Sequence, residues 1–386
     1  MEEKAPDSHG RWRHIDALDG VRGIAILLVL MDHSLAWLGY EQRHGYQLIA
    51  KLTQPGWVGV DLFFVLSGYL ITSILLRSKE SDGYYRNFYA RRALRIFPAY
   101  YFCVIVAVLI VPHLPRRVGD MTGLFRGAKG QAWLWFYCTN IKITLHRSLY
   151  FGSMDPFWSL AVEEHFYLVW PTLVLLLSER SLRRLCAVLI CAAPILRTWM
   201  VLHDNGTGAY VFTLCRMDSM AWGALAASIM HSGLTRARAL IRGKWIYPLA
   251  LFAAVALWPG EGTWQLSLEK TAGISLLGFA FCGAVLGAVN RPLPALKNRF
   301  LRAFGKYSYG IYVWENKFTQ FFFPALAATK IGRPFMKIPY AGPLFFSAMS
   351  VVVSFAVGWL SYNLMEKHFL VLKRYFEYVP KEREKT

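Results

Sequence analysis

The chain has 386 residues, 55% hydrophobic and 16% aromatic, and its apolar runs are repeatedly about twenty residues long, the length that crosses a hydrocarbon core. Its formal charge of +19 does not point to nucleic acid, because the lysines and arginines fall in short clusters between the apolar runs rather than along one stripe. The six cysteines have no C-x-x-C spacing and lie mostly within apolar runs, so they read as small buried hydrophobes, and neither a disulfide framework nor a metal is expected.

The pattern predicts an all-α polytopic membrane bundle of about ten spans, at residues 18–38, 58–76, 93–111, 158–177, 186–202, 210–230, 245–258, 272–289, 304–326 and 344–365. Ten crossings leave both termini on one side. The clusters around Arg77–Arg95, Arg180–Arg184, Arg236–Lys244, Arg291–Arg302 and Lys367–Arg374 then all face the cytoplasm, as the charge rule asks. Residues 1–14 are the expected N-terminal cytoplasmic tail, 15–370 the membrane domain and 371–386 a basic cytoplasmic tail. Because the first apolar run is long and carries Arg22, it is expected to stay on the chain rather than be cleaved as a signal peptide. The run 131–143 is apolar but only about thirteen residues long. Counting it as a span would put Arg180, Arg183 and Arg184 outside, so it is expected to be half-inserted or interfacial on the outer face.

The first span, GVRGIAILLVLMDHSLAWLG, holds Arg22 and His33. Eleven helical steps return to within about 20° of the starting face and rise roughly 16 Å, so the two line one stripe about half a bilayer apart. An ionisable group at that depth costs roughly 2.5–3.5 kcal/mol on insertion scales and is aimed at a protein interior or a wet cavity. Arg22 alone could also be an interfacial anchor. In the second span, GVDLFFVLSGYLITSILL, Gly59, Ser67 and Gly68 are small residues that allow close helix approach. Ser67 lacks the neighbours of an activated nucleophile. The following YYRNFYARRALRIFPAYY places Arg91, Arg92 and Arg95 at helical i, i+3 and i+4 spacing, where forked donors can clamp phosphates. Tyr84, Tyr85, Phe88, Tyr89 and Phe97 interleave them as possible stacking surfaces. The fourth span opens DPFWSLAVEEHFYLVWP, with Glu163, Glu164 and His165 adjacent. Neighbours point about 100° apart, so one of the two carboxylates at most is expected to face a narrow cavity directly. Arg216 and Asp218 enter the sixth span two apart and need partners elsewhere in the bundle. Glu315 and Asn316 add polar groups to SYGIYVWENKF, and Glu366 near the end of the last span is expected to be a structural tie.

Together these segments resemble the integral-membrane acyltransferase family 3, the sugar and glycan O-acyltransferases. The similarity is carried by LDGVRGIAILLVLMDHS, GVDLFFVLSGYLIT, FYARRALRIFPAYY with its R-x-x-R, FWSLAVEEHFYLVWP, RMDSMAWGALAA, SYGIYVWE and SYNLMEKHF, in that order along most of the chain. The resemblance implies that Arg22 and His33 are essential, that Arg92 and Arg95 of the R-x-x-R handle acyl-coenzyme A on the cytoplasmic side, and that Glu163 or Glu164 supports them; Arg91, by its spacing, is expected to join the coenzyme-binding cluster. Asp61, Ser67, Trp158, Ser159, Arg216, Asp218, Tyr312 and Glu315 are then expected to bind substrate or hold the bundle together. His165, Glu315 and His368 depart from the family pattern, standing where a glutamine, a histidine and a proline are common, which touches acceptor identity more than reaction class.

The expected activity is transfer of an acyl group, acetyl in the first instance, from acyl-coenzyme A to a hydroxyl of a sugar, glycan or glycolipid in a bacterial plasma membrane. His33 would act as general base and Glu163 or Glu164 would orient it, in direct transfer without a covalent acyl-enzyme. No esterase-like domain is expected after the spans, and the expected acceptor is accordingly small and glycosidic or lipid-linked. Two alternatives are an acyltransferase for a macrolide-like metabolite and a lipid-linked sugar transporter or flippase, whose His33 and buried acids would relay protons. No inverted repeat supports the second.

Overall fold

The computed structural model describes residues 15–36, 54–110, 130–233, 252, 269–290, 292–327, 329–330, 332–335, 338 and 341–378. Among these residues every element is helical. The long helices are α1 (Asp16–Ala36), α2 (Val58–Arg77), α3 (Tyr84–Ile105), α4 (Phe157–Leu176), α5 (Glu179–Leu202), α6 (Thr213–His231), α7 (Ile274–Asn290), α8 (Arg299–Ala327) and α9 (Ala341–Ser361). Among the described residues five segments are long and apolar enough to cross a membrane, Pro55–Arg77, Tyr84–Ile110, Glu179–Leu202, Thr271–Asn290 and Leu344–Tyr375. The helices that fall short, α1, α4, α6 and α8, are those carrying Arg22, Glu163, Asp218 and Glu315. Ionisable side chains lower the apolarity of these four, and the apolar helices carry buried charges as well, Asp61 on α2 and Arg197 on α5. Large apolar side chains on α5 and α9, among them Ile195, Trp199, Val352 and Trp359, face outward.

Paired contacts fix the helix directions. Glycine 23 of α1 abuts Leu301 and His33 reaches Glu315, so α1 and α8 are parallel. Tyr84 and Tyr89 donate to the Pro171 and Leu168 carbonyls, making α3 and α4 antiparallel. Ser67–Glu163 and Thr72–Trp170 contacts make α2 and α4 parallel. Arg183–Ser228 and Arg197–Asp218 make α5 and α6 antiparallel, while Ser275–Asp218 and Cys282–Trp222 make α6 and α7 parallel. The end of α6 and the start of α7 consequently lie at opposite ends of the bundle. The expected span 245–258 and the basic cluster 236–244 fall between them, outside the described residues.

Residues 131–143 do not form one helix. They divide between Gln131–Trp135 and Thr139–His146, broken at Tyr137, whose φ is 54°. At 1.5 Å per residue neither piece approaches the roughly 30 Å of a hydrocarbon core. They lie at the end where α3 finishes and α4 begins, held to the far end of α5 by the Asn205–Thr144 and Arg147–His203 hydrogen bonds. The turn into α4 closes on Asp155, which accepts from the backbone N–H groups of Tyr150 (2.9 Å) and Phe151 (2.7 Å), and burial pushes its carboxyl up.

Several boundaries differ from expectation, and two of the differences have local reasons. The sixth span begins at Thr213 rather than 210, because Phe212 is extended and a short helix, Gly206–Val211, precedes it. The last span continues past Ser361 through a π-helical turn, Tyr362–Glu366, into Lys367–Val371, a local widening that the apolar pattern does not encode. Four cysteines, Cys103, Cys186, Cys215 and Cys282, are buried, Cys138 is half-buried and Cys191 is exposed.

Candidate functional site

The polar residues of the inner helices enclose a cavity of about 110 Å³ lined by Arg22 of α1, Ser67 of α2, Arg92 and Arg95 of α3, Ser159, Glu163, Glu164 and Tyr167 of α4, and Tyr309 and Tyr312 of α8. A single water needs roughly 10–15 Å³ on this scale, so the cavity has room for the reacting end of a substrate, not for a whole coenzyme. Val60, Phe63, Phe64, Leu160 and Ile96 form its apolar walls. Arg22 is held by Asp19 at 2.9 Å, one helical turn away. The Arg92 guanidinium lies 5.5 Å over the Tyr167 ring. Tyr167 in turn donates to Glu163 (2.7 Å) and to Ser67 (3.2 Å), and Ser67 donates to Glu163 at 3.3 Å.

Glu163 and Glu164 both line this cavity, contrary to the expectation that one at most would. The cavity wraps the helix: Glu163 meets the α2 wall at Ser67, while Tyr309, on the α8 wall, is tied by its hydroxyl to the Ile96 carbonyl of α3 at 2.5 Å. Side chains about 100° apart thus reach two sides of one space. The buried Oε1 of Glu164 has no hydrogen-bond partner. His165 points elsewhere, its Nδ1 2.7 Å from the Thr213 hydroxyl at the start of α6.

His33 lies outside the cavity, toward the opposite end of α1 from Arg22, and its partner corrects the expectation. Its Nδ1 is 2.9 Å from Oε2 of Glu315, not near Glu163 or Glu164. The reason is helix direction: α8 runs parallel to α1 and brings residue 315 to the depth of residue 33, whereas Glu163 sits at the depth of Ser67, nearer the Arg22 end. Glu315 is buried, and its Oε1 is left without a partner. Between the cavity and this pair stands Tyr312, one turn before Glu315. Its hydroxyl bonds the Ser159 hydroxyl and donates to the Pro156 carbonyl at 2.8 Å. Lys317 is buried beside them with its Nζ 3.8 Å from the Phe157 ring centre and no hydrogen-bond partner. Sequence reasoning did not single it out.

Arg216 and Asp218 find partners on other helices, as their two-residue spacing required. Arg216 donates to Asp61 at 2.7 Å and stacks over Phe64, Trp158 and Tyr210. Asp218 accepts a two-pronged bond from Arg197 at 3.1 and 2.7 Å and one from Ser275. Arg197 also donates to the carbonyls of Thr271 and Cys215. All four charged side chains are fully buried. Asp61, Trp158, Arg216 and Asp218 therefore hold helices together rather than face the cavity. Arg197 was missed, although an arginine within the apolar run ILRTWM demands a buried acid.

Arg91 has a structural contact that its spacing did not foretell. Its Nη1 donates to the carbonyls of Lys373 (3.1 Å) and Phe376 (3.3 Å), so it ties down the segment after the last span. Much of the aromatic interleaving around it is likewise a helix seam, because the hydroxyls of Tyr84 and Tyr89 bond carbonyls of α4 and Phe88 is buried. Proline 171 removes one backbone donor from α4, and these tyrosines supply hydroxyls at that stretch. Among the described residues no group of three His, Cys, Asp or Glu is arranged to hold a metal.

The model of a protein family described as "Acyltransferase domain" matches residues 15–362. A Bacillus subtilis (strain 168) protein, YrhL, whose name carries a provisional peptidoglycan O-acetyltransferase assignment, is 30% identical over 390 residues, covering 92% of this chain and 55% of that protein. The peptidoglycan O-acetyltransferase OatA of Listeria monocytogenes is 27% identical over 384 residues, with the same two coverages, 92% and 55%. The O-acetyltransferase OatA of Staphylococcus aureus (strain NCTC 8325) is 28% identical over 231 residues, 56% of this chain and 35% of that protein. The chain thus spans about half the length of the first two. No solved structure matches it.

Proposed function

The chain belongs to the acyltransferase family whose domain it matches over residues 15–362, and from that premise we propose that it moves an acetyl group from acyl-coenzyme A to a hydroxyl of a cell-envelope glycan of the peptidoglycan type. The acyl class and the glycan follow the names of its relatives. The observation that carries the reading is the His33–Glu315 pair at 2.9 Å, set beyond a cavity whose other side holds Arg22, Arg92 and Arg95.

A carboxylate at Nδ1 fixes the imidazole tautomer and leaves Nε2 as the acceptor of a proton. In the proposed step Nε2 takes the proton of the acceptor hydroxyl, whose oxygen bonds to the thioester carbonyl carbon. The carbon–sulfur bond breaks, and the proton passes to the departing thiolate. Arginine side chains offset negative charge on the donor side, where a low dielectric makes each guanidinium count for more. His33 and the cavity are offset along α1, so the thioester must pass the Ser159–Tyr312 contact to reach the base. Direct transfer is favoured because His33, the base of this scheme, bonds neither Ser67 nor Ser159; Ser67 bonds Glu163 and Tyr167, and Ser159 bonds Tyr312.

In this proposal the end bearing Lys79, Arg86, Ser178–Arg184 and Lys373 faces the cytoplasm. Ten spans of a plasma-membrane protein then leave both termini there. The test is release of free coenzyme A thiol by the purified chain supplied with acetyl-coenzyme A and soluble peptidoglycan glycan strands, with mass spectrometry of the strands. Glycan-dependent thiol release together with an added acetyl mass supports the reading; thiol release that ignores the glycan overturns the acceptor, and no release overturns the donor.

A further inference from the structure

After the last span the chain turns back across the beginning of α3 and is strapped there by side chains that bind its backbone. Besides the two Arg91 bonds, Asn87 Nδ2 donates to the Glu377 carbonyl at 2.9 Å. The Arg86 guanidinium lies 5.5 Å over the Phe376 ring and that of Arg91 6.0 Å over the Tyr378 ring. The strap opens with a 3₁₀ turn, Leu372–Tyr375. It holds Lys373 half-buried, and the charges that act on its amine are those of Arg95, Arg92, Arg91 and Arg22. Of these, Arg22 and Arg95, with Arg92, line the cavity. Among the described residues no acid lies within ion-pair distance of Lys373, Arg92 or Arg95, although the charges of Glu366 and Glu163 act on Arg95 and Arg92 from farther off, and the acid bonded to Arg22 is Asp19, on its own helix.

Cations crowded at a half-buried site repel one another, and the strap spends several side-chain-to-backbone bonds on holding one more cation among them. A ligand with several negative oxygens removes that repulsion and gives each cation a hydrogen-bond acceptor. Lysine suits the mouth of such a site, being a compact point charge with three donors that rotate to meet whichever oxygen arrives.

We propose that Lys373 and its strap complete an oligophosphate-binding mouth to the cavity, in which Lys373, Arg92 and Arg95 contact phosphate while Arg91 fixes the strap. The ligand class is a group of linked phosphates. It comes either from the coenzyme of the donor, in which case the inference rests on the reading above, or from the headgroup of a phosphate-bearing lipid.

The full chain in phosphatidylcholine nanodiscs is titrated with inorganic tripolyphosphate. Lys373→Gln weakens binding about tenfold, the value of one hydrogen bond between charged groups, and Lys373→Arg recovers most of it. Arg374→Gln removes the same charge from the exposed neighbour and changes affinity less than about twofold. Equal affinity in wild type and Lys373→Gln overturns the inference, as does equal weakening by Lys373→Gln and Arg374→Gln, which would make it bulk charge. Coenzyme A and pantetheine, which lacks the linked phosphates, separate the sources. If tripolyphosphate follows the pattern and coenzyme A does not bind, the mouth stands and the donor assignment falls. Cardiolipin, whose headgroup joins two phosphates, displacing tripolyphosphate from wild type but not from Lys373→Gln when it is added to the nanodisc likewise supports the mouth and assigns it to a lipid headgroup.

Discussion

An imidazole and a carboxylate 282 residues apart meet at 2.9 Å, and no spacing rule within one sequence could have joined them. Arg22 and His33 were legible because an eleven-residue interval on one helix is arithmetic. Glu315 was legible only as a polar group inside an apolar run, since its partner depends on α8 lying parallel to α1. The nearer-looking Glu163 and Glu164 proved to serve the cavity instead. Removing a general base costs typically 10²–10⁴-fold, so His33→Ala should reduce transfer by about that factor while insertion and expression are unchanged. Near-wild-type turnover in that variant would remove the base assignment. Glu315→Gln keeps a hydrogen-bonding side chain of the same shape but not the charge that stabilises an imidazolium. It should lower the maximal rate by about tenfold or more while leaving coenzyme A affinity alone, and shift the rising limb of the pH–rate profile. A variant that lost coenzyme A binding in step with rate would make Glu315 a purely structural residue.

At the level of helices the bundle depends on close approaches that apolar periodicity does not report. A Cβ added to Gly68 would lie 2.0 Å from the Met220 carbonyl oxygen, and one on Gly223 would lie 2.0 Å from that of Val65, so α2 and α6 are packed backbone to backbone through two facing glycines. Gly68 was identifiable as a small residue among large ones; Gly223 acquires its role only from the partner helix. Gly68→Val must force the helices apart, and a loss of about 1–3 kcal/mol or more is expected from such overpacking, seen as a lower melting temperature in detergent. An unchanged melting temperature would mean that the two helices can separate without cost. The same helix seam is tied by Asp61–Arg216, and α5 is tied to α6 by Arg197–Asp218. Breaking one partner of a buried pair leaves an uncompensated charge, so Arg197→Met should destabilise by about 3–5 kcal/mol. The double variant Arg197→Met with Asp218→Leu should recover much of that loss, and its failure to do so would make the Thr271 and Cys215 carbonyl contacts the dominant part.

Across the whole molecule, helix direction and charge agree. The paired contacts send α1, α3, α5 and α8 one way and α2, α4, α6, α7 and α9 the other, and the described basic clusters collect at the end where α1 and α3 begin. Sequence alone reached this arrangement by counting spans against the charge rule, and its weakest step was the run 131–143, which is apolar but short. The break at Tyr137 was not legible, because Phe-Tyr-Cys carries no proline or glycine to mark it; the left-handed backbone there is imposed by packing, with the Tyr137 ring stacked 4.0 Å from that of Tyr100. Since α3 ends and α4 begins at the same end, the two short helices between them need not cross. The topology that follows is testable with single cysteines in a background lacking the native six. A thiol reagent that cannot pass the membrane should modify Asp204→Cys, at the end of the bundle that holds His33. It should spare Glu80→Cys and Ser178→Cys, two positions brought together by the Lys79 bonds to the Val174 and Leu177 carbonyls. External labelling of Ser178→Cys would invert α4 and carry Lys79, Arg92 and the proposed phosphate mouth to the outside. A donor on the cytoplasmic side, as proposed, could not then reach the cavity from that end, and the transfer scheme would have to be abandoned even if the His33–Glu315 pair were intact.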